Sequence, residues 1–302
     1  MADYHPTDAV VLDGDVPLAV RIHRATDNPF ERRPAVIVMG SWLTVKEQMA
    51  DLYAAQLAQR GYAAVTFDFA GFGRSGGSLR QAELPGRKIA NLAAVEHFVA
   101  TSSLAAPGGV GVLAICASAQ YTLAAIAAGV PLTSFASVAG WYHDTESVAP
   151  FYGGADGVRE RLERADAAAR RLAESGELST VPAYAAGDER AGMFIEMDYY
   201  AEAGRGAVPE WKNEMAEISW RHWLSFDGLS AASRVSAPSL FVHSDAAVLP
   251  DNVRAVAEHV GGPVQSVWTE GEQIDFYDQP DQVGTAIDAA DEHFSKTLGA
   301  PA

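Results

Sequence analysis

The chain has 302 residues, 48% of them hydrophobic and 20% charged, with a formal net charge of −17. That is too apolar for a disordered chain and allows one large domain or two small ones. A field of that sign repels phosphate backbones and anionic lipid heads, which argues against nucleic acid and membrane surfaces as partners. A small-molecule substrate remains the expected partner, with a homodimer open. The single cysteine, Cys116, excludes an intrachain disulfide and a cysteine-cluster metal site, and suits a reducing compartment. Residues 1–15 lack the basic start and apolar run of a signal peptide, so a cytoplasmic protein is expected.

In chain order, residues 9–24 read as two strands turning at Asp13-Gly14. Apolar, β-branched residues 34–39 predict a buried strand ending at Gly40, and helical spacing follows over 45–60. Strand 62–69, helix 85–100, strand 110–115, helix 117–128 and strand 132–139 come next. Residues 98–143 carry no Asp, Glu, Lys or Arg, but Pro107, Gly108, Gly109, Gly129 and Pro131 cut them into pieces too short for a membrane span. The alternation predicts a mainly parallel sheet with helices on both faces. It stops over residues 141–233, which hold a charged helix at 158–175 and an aromatic-rich stretch with Tyr199, Tyr200, Trp211, Trp220 and Trp223. This segment is expected to be a helical lid between core segments 1–140 and 234–302. Strands 239–244 and 264–269 then alternate with helices 251–260 and 283–298.

Gly71, Gly73 and Gly76 fit G-x-G-x-x-G after a strand, but no helix opens within the motif to meet a pyrophosphate. A structural glycine loop is the expectation, with no cofactor and no metal. The stronger signal is Ala114-Ile-Cys116-Ala-Ser118, between a strand and an alanine-rich helix. A nucleophile elbow needs small residues two before and two after its centre, because the turn is sharp. Ala114 and Ser118 satisfy this for Cys116, whereas a frame centred on Ser118 would place Gln120 at a small position. The competing reading is a buried, inert cysteine.

At this point the chain resembles an α/β-hydrolase, most nearly the dienelactone-hydrolase-like bacterial hydrolases with Gly-Ile-Cys-Ala-Ser-type elbows. Residues 36–47 (VIVMGSWLTVKE), 66–77 (TFDFAGFGRSGG), 198–211, 219–227 and 273–278 (QIDFYD) carry the likeness. The resemblance implies a triad ordered nucleophile, acid, histidine: Cys116 first, Asp245 after the strand 239–244 as the acid, and Gln273 where the histidine is expected. Glutamine is no general base, so the triad is degenerate. The oxyanion hole would use the N–H of Ala117 and one from Ser41 or Trp42. A helix N-terminus behind Cys116 is expected to lower its thiol pKa.

Among the histidines, His143 ends strand 132–139 at the elbow's edge and is the expected substitute base, with a bond to Asp144 as the bland alternative. Trp141, Tyr142, His222 and Gln273 are expected to line the substrate pocket. His243 reads as a core histidine; with Asp245 it lacks a third metal ligand. His97, His259 and His293 are expected at the surface, and His5 and His23 away from the elbow. Two functions compete. One is a hydrolase or acyl-transfer enzyme using Cys116 on an ester, thioester or lactone. The other is a lyase, isomerase or cyclase acting on a small polyketide-like or aromatic metabolite. A catalytically dead binding protein is the third class.

Overall fold

The computed structural model describes Tyr4, residues 6–26, Asn28 and residues 31–301; His5 lies outside the described residues. The first two strands, β1 (Thr7–Asp13) and β2 (Val16–His23), form an antiparallel hairpin whose turn needs the positive φ of Gly14 (61°). The core then alternates: β3 (Arg33–Met39), α1 (Met49–Gln59), β4 (Ala63–Phe67), α2 (Pro85–Thr101), β5 (Ala105–Ile115), α3 (Ala117–Ala127) and β6 (Leu132–Val138). Next come α4 (Gly154–Ser175), the two-residue strands β7 (Thr180–Val181) and β8 (Met215–Ala216), and short helices α5 (Asp198–Ala201) and α6 (Ser219–Leu224). The chain closes with β9 (Ser239–Ser244), α7 (Pro250–His259), β10 (Val264–Thr269), α8 (Asp275–Asp278) and α9 (Pro280–Thr297).

Eight strands make one sheet in the order β1-β2-β4-β3-β5-β6-β9-β10, parallel from β4 onward. Every residue of β3 and β4 is buried, which explains why they read as continuous apolar runs. In the segment between β6 and β9, β7 pairs with β8 in a separate two-stranded sheet, and Tyr184 forms an isolated bridge to Met193. Its Tyr199, Tyr200, Trp211, Trp220 and Trp223 join the main hydrophobic core. No helix among the described residues is long and apolar enough to cross a membrane.

Helix α1 starts four residues later than the spacing suggests. Thr44 Oγ1 donates to the Ser41 carbonyl (2.7 Å), and the Val45 N–H donates to Gln48 Oε1 (2.9 Å). Such local bonds compete with the helix and hold residues 40–48 as a loop. The glycine loop wraps an internal carboxylate. Asp68 accepts the Lys46 and Arg74 N–H groups and the Lys46 ammonium, and a Cβ at Gly73 would stand 2.3 Å from Asp68 Oδ2. The next helix, α2, opens only at Pro85.

Candidate active site

Strand β5 ends at Ile115, and Cys116 turns directly into α3 with φ 57° and ψ −124°. A non-glycine residue there costs on the order of 1–3 kcal/mol and is kept only where its surroundings fix it. Those surroundings are explicit. The Cys116 N–H donates to the Val138 carbonyl (3.1 Å), and the Trp141 N–H donates to the Cys116 carbonyl (3.0 Å). Ser118 does more than fit: its Oγ accepts the Ile115 N–H (3.1 Å) and donates toward the Met39 and Ile115 carbonyls. It thereby ties the elbow to the end of β3, from which the loop Ser41–Trp42 departs.

That loop is clamped on both sides. The Leu43 N–H donates to Glu83 Oε2 (3.4 Å), the Leu43 carbonyl accepts Trp211 Nε1 (2.8 Å), and the Trp42 ring stacks on Trp223 at 4.5 Å. The result gathers four hydrogen-bonding groups around Cys116 Sγ: the Ser41 and Tyr277 hydroxyls and the backbone N–H groups of Ala117 and Trp42. The thiol does not follow the expected direction. Burial pushes it up from its ordinary value, outweighing the four groups that pull it down.

Tyr277 and Tyr200 escaped the sequence reading. Tyr200 donates to Ser41 Oγ (3.1 Å), Ser41 Oγ lies 3.1 Å from Tyr277 Oη, and Gln273 Nε2 donates to Tyr277 Oη (3.2 Å). The available signal was that Tyr277 follows Gln273 by four residues, across a turn that leads into α8 and keeps the two side chains within reach. Sulfur, Ser41, Trp42, Tyr200, Gln273 and Tyr277 line one cavity of about 230 Å³. Trp141, Phe151, Tyr152, Phe194 and Trp223 make the aromatic wall, with exposed Glu196 and Glu272 also lining it.

Four expected site residues lie elsewhere. Asp245 is 72% exposed and pairs with Arg254, which holds its carboxyl below the ordinary value, so it is not a triad acid. His143 is fully buried and spent: Nδ1 accepts Trp141 Nε1 (2.6 Å), and Nε2 donates to the Trp223 carbonyl (2.8 Å). No lone pair remains for a base, and its partners are not Asp144. Tyr142 turns inward, its hydroxyl donating to Ser137 Oγ (2.8 Å). His222 sits exposed on α6 and does not line the cavity. His293 is also corrected, from surface to buried, with Nε2 2.9 Å from Ser134 Oγ. His243 is buried with Nε2 on the Val248 carbonyl (3.1 Å), so it does not converge with Asp245 on a metal.

Burial lowers both His143 and His243 from 6.5 to about 4. The folded rings therefore stay neutral where the unfolded ones protonate. Between those values the unfolded chain binds more protons, so stability falls as pH drops from 6.5 toward 4 and is fully present above 6.5. Each ring contributes up to roughly 3 kcal/mol. Urea melts at about pH 7.5 and about pH 5 are expected to show a lower midpoint in the acid sample. An equal or higher midpoint there contradicts this.

No family model matches the chain. The uncharacterized protein YcjY of Escherichia coli is 38% identical over 78 residues, which span 26% of this chain and 26% of YcjY. The uncharacterized protein PA2218 of Pseudomonas aeruginosa is 24% identical over 278 residues, 89% of this chain and 74% of that one. The crystal structure of PA2218 superposes with a TM-score of 0.84 at 21% identity, covering 99% of this chain and 95% of that chain. The α/β hydrolase GrgF from Penicillium sp. sh18 superposes with a TM-score of 0.76 at 17% identity, covering 98% and 99%. The architecture is thus the α/β-hydrolase fold, with Cys116 at its strand-to-helix elbow.

Proposed function

We propose that the protein is an enzyme of hydrolase or acyl-transfer type, in which Cys116 attacks an ester, thioester or lactone carbonyl. One observation carries this reading: two backbone N–H groups from different strand ends, Ala117 and Trp42, meet at a sulfur on a strained turn that opens into a cavity. A developing oxyanion beside that sulfur shares those donors, and loss of one such donor costs other acyl-transfer enzymes about 3 kcal/mol. Residues 141–233 act as a lid, since Trp141, Phe194, Tyr200 and Trp223 wall the cavity. Among the described residues no lysine or arginine lines it, and its walls are aromatic, so the acyl group is neutral and largely apolar.

A second reading, a lyase, isomerase or cyclase, is favoured by Gln273. No imidazole is hydrogen-bonded to it or to the sulfur among the described residues, and four donors without a base suit an enolate better than an attacking water. Stopped-flow reaction with a 4-nitrophenyl ester separates the two. The acyl-transfer reading expects a burst of about one nitrophenolate per chain, then slow turnover, because water lacks a base in the second step. Absence of any release points to the second reading.

A further inference from the structure

We infer that Tyr277 is a further catalytic residue: its phenol oxygen relays the proton from Cys116 Sγ to the departing group, standing in for the triad histidine. This rests on the acyl-transfer reading of Cys116 and deepens it.

The direction of the relay follows from Gln273. Its Oε1 accepts the Val248 N–H (3.3 Å), and its Nε2 donates to the Ala139 carbonyl (2.9 Å). Backbone partners of opposite kind fix the amide's orientation. The remaining N–H of Nε2 is then the one that reaches Tyr277 Oη (3.2 Å), and the phenol oxygen accepts it. Ser41 Oγ accepts Tyr200 and turns its own proton to Sγ, so across the 3.1 Å to Tyr277 Oη the phenol is the donor at rest. With Gln273 on one acceptor position, the other lone pair of Oη is left for the thiol proton of Cys116, which lines the same cavity, and the phenol proton swings from Ser41 to the departing group. Gln273 is therefore a positioning residue, acting through Tyr277.

The step balances without a base. Sγ forms a bond to the carbonyl carbon, and the carbon–leaving-group bond breaks. The thiol proton passes to Tyr277 Oη as the phenol proton passes to the departing oxygen or sulfur. Transfer to an acceptor thiol runs the same path in reverse: the acceptor's proton moves to Tyr277 Oη and the phenol proton returns to Sγ. No ionised phenol is required, which suits a hydroxyl that burial and neighbouring Cys116 hold well above its ordinary value.

The test is leaving-group dependence. Intact mass spectrometry times acylation of Cys116 by the phenyl and the ethyl thioester of butyric acid, in the parent chain and in Tyr277→Phe. Thiophenolate leaves readily without a proton, and ethanethiolate does not. Tyr277→Phe is expected to slow the ethyl thioester by about 100-fold and the phenyl thioester by about tenfold or less, in keeping with the usual size of general acid–base catalysis. A change in the ratio of the two rates is not what a merely structural phenol would give. Equal slowing of both, or of neither, overturns the relay and leaves Cys116 as nucleophile. If neither thioester acylates Cys116 in the parent chain, the acyl-transfer reading itself fails, and the relay with it. Should Tyr277→Phe not fold, the parent decides alone: a relay keeps its two rates within about tenfold of each other, and a spread of about 1,000-fold overturns it.

Discussion

Cys116→Ala is expected to lower acyl transfer by a factor on the order of 10³ or more, since the hydroxyls left around the site, Ser41 included, are far weaker nucleophiles than a thiol. The fold should survive: the side chain lost is small, and the elbow is held by backbone bonds to Val138 and Trp141 and by Ser118 rather than by the sulfur. Cys116→Ser is the sharper variant. A serine hydroxyl, far less acidic than a thiol, needs a base to attack, and here no histidine among the described residues lines the cavity and the expected substitute, His143, has both ring nitrogens occupied. The serine chain is therefore expected to be nearly as inactive as the alanine one, measured as nitrophenolate release. Serine activity within about tenfold of the parent would show that a base reaches this site after all.

The largest stability effect is expected at Lys88. Its ammonium is buried against Glu83 Oε1 (2.7 Å), between the rings of Phe69 (4.4 Å) and Phe72 (4.8 Å). Burial pulls the ammonium down from its ordinary value, with Glu83 working against that. Lys88→Met leaves a buried carboxylate with, among the described residues, Tyr121 and the Leu43 N–H for partners. Breaking a buried pair from one side costs roughly 3–5 kcal/mol, so urea unfolding should shift by that amount. The double variant Lys88→Met, Glu83→Gln removes the stranded charge and should regain at least about half of the loss. Equal instability in single and double variants would place the cost in packing instead.

Much of the core was legible because burial writes itself into composition: strands with both faces covered are nearly unbroken apolar runs, and β9, buried throughout, was read to the residue, as was the more exposed edge strand β10. The elbow was legible because sterics demand small neighbours, which Ala114 and Ser118 supply. Side-chain direction was not. Ser244, the last residue of β9, turns its hydroxyl inward to the Gly271 carbonyl, while the next residue, Asp245, already stands in the turn beyond the strand and reaches out to Arg254. His143 does stand at the elbow's edge, but its ring points under Trp223, a residue 80 positions on, whose arrival no local pattern announces. Tyr200 lies on α5, a single helical turn too short to show periodicity, so its register was invisible, whereas Tyr277 stands on α8 just after the turn that carries Gln273.

The central claim is that Cys116 carries the acyl group. The direct measurement is peptide mapping by mass spectrometry after the parent chain is mixed with phenyl thiobutyrate and quenched in acid. The account predicts one butyryl adduct on the peptide containing Cys116, and none at that peptide in Cys116→Ala. An unmodified Cys116 in a sample that is nevertheless turning over the thioester would contradict it.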